Sequence, residues 1–216
     1  MTVRIRRRIA MLHPEDADVA LDSAARQHIF EQLATAPGVE RSQVGWHHPR
    51  SVNAGVGTWD ALVTHDDPPP TIDGLRLDVV HPVHIASELR EPDIGPCIKR
   101  TLFLRVEPGA DSTSVTRLEA DLAEMPHHIT AIRNWCLSAV APGASSGAEG
   151  WTHVWEQEFA TLDGVLHDYL YHPHHWGHVD RWFDPEHPSR IADLRLAHAI
   201  ASVDAPVLPW AVHVRR

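Results

Sequence analysis

Thr71-Ile-Asp73-Gly74-Leu-Arg-Leu-Asp78-Val79-Val-His81-Pro82-Val-His84 and Thr161-Leu-Asp163-Gly164-Val-Leu-His-Asp168-Tyr169-Leu-Tyr-His172-Pro173-His-His175 share Thr-x-Asp-Gly, a following Asp and His-Pro-x-His. An internal repeat is weighed first, because it sets the architecture within which every other segment is read. The pair predicts a tandem duplication. In a chain of 216 residues, that means two units of about 100 residues each, every one folding with help from its neighbour.

The second unit parses readily. Ile98, Arg100, Leu102, Leu104 and Val106 alternate on one side of a strand closed by Glu107-Pro108-Gly109. Asp111-Ser112-Thr113-Ser114 offers caps for a helix whose buried stripe is Val115, Leu118, Leu122 and Met125. Ile129 to Val140 leads into a second strand, residues 141–150 read as a flexible loop, and Trp151 to Phe159 reads as a third strand. A short helix over Leu162–Tyr171 breaks at Pro173, and Asp193 to Val203 supplies a fourth strand with Leu194, Leu196, His198 and Ile200 in phase. His198 reads as a hydrogen-bonded core histidine or, alternatively, a pocket residue. The order β-α-β-β-α-β is the ferredoxin-like split unit.

The first unit follows the same plan through strand Val3–Leu12, helix Leu21–Ala34, strands Val39–Trp46 and Trp59–Thr64, and the region around His81. The dozen or so residues between His84 and Ile98 are too few for a helix remainder and a fourth strand. This predicts a truncated first repeat; the alternative is that Leu75–Val80 is itself the fourth strand. The predicted class is α+β: two ferredoxin-like β-α-β-β-α-β repeats forming a fused dimeric α/β barrel. Residues 1–96 are the degenerate repeat, 97–203 the repeat with the active site and 204–216 a C-terminal tail.

A formal charge of −10, from 29 acidic and 19 basic residues, argues against nucleic-acid or anionic-membrane partners. Arg4, Arg6, Arg7 and Arg8, interleaved with Val3, Ile5 and Ile9, read as the solvated side of an edge strand. No apolar run is long enough to cross a bilayer, and the basic start runs into Leu12-His13-Pro14-Glu15-Asp16 in place of a signal-peptide core. These features predict a cytoplasmic, soluble protein. Cys97 and Cys136 form no C-x-x-C pair and read as buried thiols. Histidine is abundant, 18 in all and densest from His167 to His178, which points to proton transfer, metal binding or ligand polarisation.

Gly150-Trp151-Thr152-His153 followed by Asp168-Tyr169-x-x-His172-Pro173-x-His175 resembles the stress-responsive dimeric α/β-barrel (Dabb) family, whose best-understood enzyme is plant olivetolic acid cyclase. The resemblance covers residues 97–203 and, more weakly, 3–96. It implies two sheets paired into a barrel, here both from one chain. It also implies a catalytic pair, Tyr169 and His175, for an intramolecular aldol condensation of a polyketide thioester, with His153 and His172 as further pocket histidines. Arg100 stands where the cyclase has a histidine, a departure that points to a carboxylate, phosphate or enolate in place of the cyclase's own substrate.

The residues support the pair by their own chemistry. If Pro173 begins a helical turn, His175 lies in its first turn, where the helix dipole disfavours the imidazolium and keeps the ring neutral as a general base. Tyr169, one turn before the break, can donate a hydrogen bond to a carbonyl whose α-proton the base removes. His153, on one side of its strand with Trp151 and Trp155, can orient either partner, and the two tryptophans can wall a pocket. The structural reading is a histidine-rich plug across the barrel mouth, with Trp135, Trp151, Trp155, Trp176 and Trp182 as core. His174 and His178, four apart, would form a zinc pair on a helix but lack a clear third ligand. In the first copy the tyrosine position is Val79 or Asp78 and the strand-histidine position Asp60 or Ala61, so that half reads as scaffold or a modified pocket.

The expectation is a cofactor-independent and metal-independent enzyme acting on a small carbonyl or polyketide-like compound within a mostly apolar barrel cavity, as cyclase, isomerase or lyase. His175 is the base, Tyr169 stabilises the enolate, His153 assists, and His172, Arg100, Trp151 and Trp155 bind substrate. The alternatives are a non-catalytic, stress-associated binding protein and, beyond it, a metal-dependent oxygenase using His172 to His178. The fused chains are expected to be able to pair as a homodimer.

Overall fold

The computed structural model describes residues 5–16, 21–64, 68–145 and 150–213. Among the described residues, eight strands and three α-helices follow in the order β1 Arg6–Pro14, α1 Ser23–Ala34, β2 Val39–Trp46, β3 Gly57–Val63, β4 Leu75–Leu89, β5 Cys97–Leu104, α2 Ser112–His128, β6 Ile132–Ser145, β7 His153–Phe159, β8 Ala197–Val203 and α3 Leu208–His213. Between β7 and β8 the chain forms helical segments of π geometry at Gly164–Tyr169 and His175–Val179 and a 3-10 turn at Asp180–Trp182.

All strands lie in one antiparallel sheet of order β2-β3-β1-β4-β6-β7-β5-β8. Within residues 6–89 the strand order is second, third, first, fourth; within residues 97–203 it is the same. The edges meet: beyond β2, the His48 N–H donates to the Ile200 carbonyl at 2.7 Å, and Val52 and His198 exchange backbone hydrogen bonds of 2.8 Å each way. These contacts close the sheet into a barrel. Gly45 permits the approach, since a Cβ there would lie 2.7 Å from that of Ala201.

Period-2 alternation then sorts the side chains. On β5, Arg100, Leu102 and Leu104 face outward under α2 and the π-helical segments, packing with Leu118, Leu122, Met125, Trp155 and Tyr169. Phe103 faces inward with Ile9, Met11, Val80, Val140 and Val154. α2 begins where the Asp111 carboxylate accepts from the Ser114 N–H at 2.9 Å, so the predicted cap and stripe hold, with Val115 only partly buried. α1 is capped in the same way by Asp22 and buries Ile29 and Leu33 against β1 and β3.

Five expectations change. The arginines of β1 are not at an edge: β1 lies between β3 and β4, and Arg7 and Arg8 are buried, at 5% and 4% exposure. Inside the barrel, Arg7 donates to Glu156 at 2.6 Å and to Asp60 at 2.9 Å, and Lys99 bridges the same two carboxylates. Burial pushes the Glu156 carboxyl up, but Arg7 and Lys99 outweigh it and hold it at about 2. The interior is therefore charged at one end and apolar in the middle, where an apolar cavity was expected. Arg4 lies outside the described residues.

The region around His81 is strand, not a helix counterpart: β4 is the fourth strand of the first half, as the alternative over Leu75–Val80 had it, and among the described residues no helical segment precedes it after β3. β6 continues through residues 141–145, the first part of the expected loop, while residues 146–149 lie outside the described residues. Finally, the segment expected to be a tail closes one barrel end. The Val207 and Leu208 N–H groups donate to Glu158 Oε1 at 2.6 and 2.9 Å, and Asn134 holds the other oxygen at 2.8 Å. Among the described residues no helix is long and apolar enough to cross a membrane.

Candidate active site

Arg100, Tyr169 and His175 come together between the outer face of the sheet and the π-helical segments. Thr161 Oγ1 accepts from the Gly164 N–H at 3.1 Å and starts the first segment. Val165 and Tyr169, four residues apart, are its buried face. Pro173 opens the second segment as expected, and the His175 N–H donates to the His172 carbonyl at 2.9 Å. π-helical turns are rare and occur disproportionately at functional sites.

Arg100 is 1% exposed. Its Nη1 donates to Gln157 Oε1 at 2.8 Å, its Nη2 lies 3.4 Å from His198 Nδ1, and its Cζ sits 4.6 Å from the centre of the Tyr169 ring. The Tyr169 and His175 rings meet edge to face, 4.6 Å apart at 71°. His175 Nδ1 is 3.5 Å from Asp180 Oδ1, longer than a good hydrogen bond. The Tyr169 hydroxyl lies near Gln157 and Trp155, yet neither side chain's N–H completes a hydrogen bond. Arg100 Nε and His175 Nδ1 are also buried without a hydrogen-bond partner in the protein.

Electrostatics follow from burial beside a guanidinium. Burial, then the charge of Arg100, brings His175 from an ordinary 6.5 to about 3, and the same two causes bring His198 to about 3. Both rings are neutral near pH 7, but for His175 the first cause is desolvation and not the helix dipole. Burial pushes the Tyr169 phenol up against the opposing pull of Arg100, so it is a neutral donor. Burial raises the Asp180 carboxyl as well, again opposed by Arg100.

A cavity of about 270 Å³ opens beside Arg100, lined also by Arg50, Val52, Val165, His167 and His198. Arg50 and Val52 come from the first half of the chain, so both halves build it. Tyr169 and His175 lie behind this cavity, against Arg100.

The remaining predicted residues disperse. His153 faces outward but lies four residues from Gln157, roughly 13 Å along a strand; it contacts Thr152 Oγ1 at 2.9 Å and Glu119 Oε1 at 3.2 Å. Burial lowers it and Glu119 opposes that. Trp155 backs the Tyr169 hydroxyl, fully buried and 5.4 Å from Trp135. Trp151 does not share its face: β7 begins only at His153, and Trp151 turns into the barrel, donating from Nε1 to Asp78 Oδ2 at 2.9 Å. His172 is half-buried and accepts at Nδ1 from the His174 N–H at 3.2 Å. His174 stacks between His128 and His178, at 4.0 and 4.7 Å. Among the described residues no group of three or more His, Cys, Asp or Glu side chains is arranged to hold a metal.

Gln157, Asp180 and Arg50 were missed, and His198 was weighed first as core. Gln157 had a readable signal, since it alternates in phase with Trp155 on the outward face. Asp180 and Arg50 had none, because only the closed barrel and the turn after Val179 bring them in.

Residues 98–193 match the family described as Stress responsive A/B Barrel Domain. This segment is thus similar to a stress-responsive A/B barrel domain. It contains Arg100, Gln157, Tyr169, His175 and Asp180, while His198 and Arg50 fall outside it. No curated protein matches the chain. Among solved structures, an anthrone oxidase-like protein aligns with TM-score 0.56 and 11% identity over 92% of this chain and 91% of its own. A variant of chlorite dismutase from Candidatus Nitrospira defluvii aligns at 0.51 and 8% over 100% and 97%. A staphylococcal protein described as a major regulator of pathogenesis aligns at 0.50 and 9% over 94% and 99%. At such identities the likeness is one of fold. It extends beyond residues 98–193 to nearly the whole chain.

Proposed function

We propose that the chain is a cofactor-independent enzyme acting on a small carbonyl compound that carries, or develops, negative charge. The observation that carries this reading is Arg100, a fully buried guanidinium that lines a cavity, keeps its Nε without a partner and touches the Tyr169 ring. Such a group stabilises an enolate or carboxylate strongly, because the site excludes water. Tyr169, a neutral donor, shares the developing charge. His175 removes the α-proton. An anion at Arg100 cancels part of the charge that depresses His175 and so strengthens the base when substrate binds. Asp180, beside Nδ1, steadies the imidazolium that forms.

In the same reading, the two halves are tandem ferredoxin-like units, residues 1–96 and 97–203, supported by the strand order they share. The first contributes Arg50 and the barrel wall. A second reading, a binding protein without turnover, is favoured by the burial of Tyr169 at 1% exposure behind the cavity.

The test is proton exchange. In deuterated buffer, the protein should accelerate loss of the α-protons of short keto acids such as levulinate at least tenfold over buffer, read by NMR. Arg100→Met, His175→Ala and Tyr169→Phe should each abolish the acceleration. Binding of the same acids by calorimetry with no acceleration would hand the site to the second reading.

A further inference from the structure

The two ends of the barrel are built differently. One is closed by α3 over Glu158, as described above. The other opens into a cavity of about 400 Å³ whose walls include Met11, Asp78, Trp151 and Leu196, with Arg76 and Arg195 at the rim. It is reached from inside the barrel, on the opposite side of the sheet from Arg100 and Tyr169. Barrel mouths are recurrent places for small-molecule sites, and this volume is in their range.

Asp78 singles this mouth out. The residue is wholly buried, one carboxylate oxygen holding the Trp151 indole N–H at 2.9 Å while Oδ1 has no hydrogen-bond partner in the protein. Burying an acceptor unsatisfied is costly, and such groups in a pocket wall are where ligands donate. The rim is the opposite in charge. Arg76 and Arg195 are exposed there, Arg195 also lying 3.7 Å from Asp193. Met11, the Trp151 ring and Leu196 line the same cavity. The backbone of this rim is held in place by Asn53, at φ 56, which donates from Nδ2 to the Leu196 carbonyl at 3.1 Å.

We propose that this open end is a second ligand site, taking a small molecule that joins a carboxylate to a hydrogen-bond donor on an apolar frame, of the amino-acid or hydroxy-acid class. The carboxylate meets Arg76 and Arg195, the apolar frame packs on Trp151 and Met11, and the ammonium or hydroxyl donates to Asp78 Oδ1. The site is independent of the chemistry at Arg100.

Calorimetric titration of the full chain with L-phenylalanine, L-3-phenyllactate and 3-phenylpropionate tests it, because only the last lacks the donor. One or both of the donor-bearing acids should bind at least tenfold tighter than 3-phenylpropionate, and which one does tells ammonium from hydroxyl. Asp78→Asn, which can satisfy Trp151 but presents N–H where Oδ1 stood, should erase that difference. Arg76→Gln with Arg195→Gln, both at exposed positions, should weaken every acid that binds about tenfold and leave the thermal midpoint in place. If Asp78→Asn does not fold, the ligand series and the arginine variant still decide. Equal affinity for all three acids, no binding at millimolar concentration, or full binding by the arginine variant overturns the proposal.

Discussion

The two Thr-x-Asp-Gly…His-Pro-x-His stretches are alike in sequence and opposite in structure. In residues 71–89, Asp73-Gly74 is a tight turn, with Gly74 at φ 73 and the Leu75 N–H donating to the Ile72 carbonyl at 3.0 Å, and β4 follows. In residues 161–182 the same letters cap and continue helical turns, and Gly164 has no positive φ. Pro82 sits at a register shift in the β4 ladder, whereas Pro173 begins a helical segment. The residues between the shared letters decide. Val79, Val80, Val83 and Ile85 are β-branched, while Val165 and Tyr169 bury one face at helical spacing. The fold's own counterpart of β4 is β8, which contains none of the motif. A matching string therefore singled out the segment that carries Tyr169 and His175 without establishing structural equivalence.

The contrast is broken most severely by placing a charge in each copy. Val80, wholly buried opposite Ile9 on the strand that joins the two halves, faces Phe103 and Val140 inside the barrel. Val80→Asp should lose about 4 kcal/mol or more and yield little folded protein. Leu166, half-buried in the helical copy beside the cavity, should tolerate the same change at about 1 kcal/mol. Denaturation midpoints check both, and equal losses would mean that the helical copy is as much a part of the barrel's support as β4.

A second difference is proton linkage. His175 of the helical copy protonates near 6.5 when unfolded and only near 3 when folded, owing to burial and Arg100. Between those values the unfolded chain binds more protons, so stability falls as pH falls through that window and is unaffected above it. At pH 5 the contribution reaches about 2 kcal/mol. His175→Asn should therefore narrow the gap in unfolding free energy between pH 8 and pH 5 by up to that amount, measured by urea denaturation at the two values. An unchanged gap would show that His175 is solvated and accepts protons freely.

What was legible in the sequence was whatever is local. The plan taken over from the second unit placed β2 at its observed bounds, and Asp111 with the stripe Leu118, Leu122 and Met125 gave α2. The edge contact of Tyr169 and His175 and the approach of Arg100 were likewise within reach of motif and phase. The burial of Arg7 was not, since its partners Asp60 and Glu156 stand 53 and 149 positions away, and a run of arginines alternating with apolar residues looks the same at an edge or at the centre of a sheet. Asp180 and Arg50 were hidden for the same reason. β4 was read as a strand only in the alternative over Leu75–Val80, because the motif outweighed its own alternation; that alternative holds, and the strand runs on to Leu89.

The finest separation of the two copies is a pair of identical substitutions with opposite signs. Gly74 is exposed and an added Cβ would meet nothing within 4 Å, so Gly74→Ala tests only its φ of 73. An alanine in that left-handed region costs about 1 kcal/mol. Gly164 is buried, but its Cβ would meet Ala131, Phe159 and Thr161 at 3.6 Å each, ordinary contact distances. There the helical backbone favours alanine over glycine by up to about 1 kcal/mol, because glycine has more chain entropy to lose. Thermal unfolding of the two variants should therefore shift the midpoint down for Gly74→Ala and leave it level or raise it for Gly164→Ala. Two downward shifts would mean that Gly164 is held by its packing. Two level ones would mean that the Asp73-Gly74 turn can relax, and the two copies would then differ less in backbone than their present conformations do.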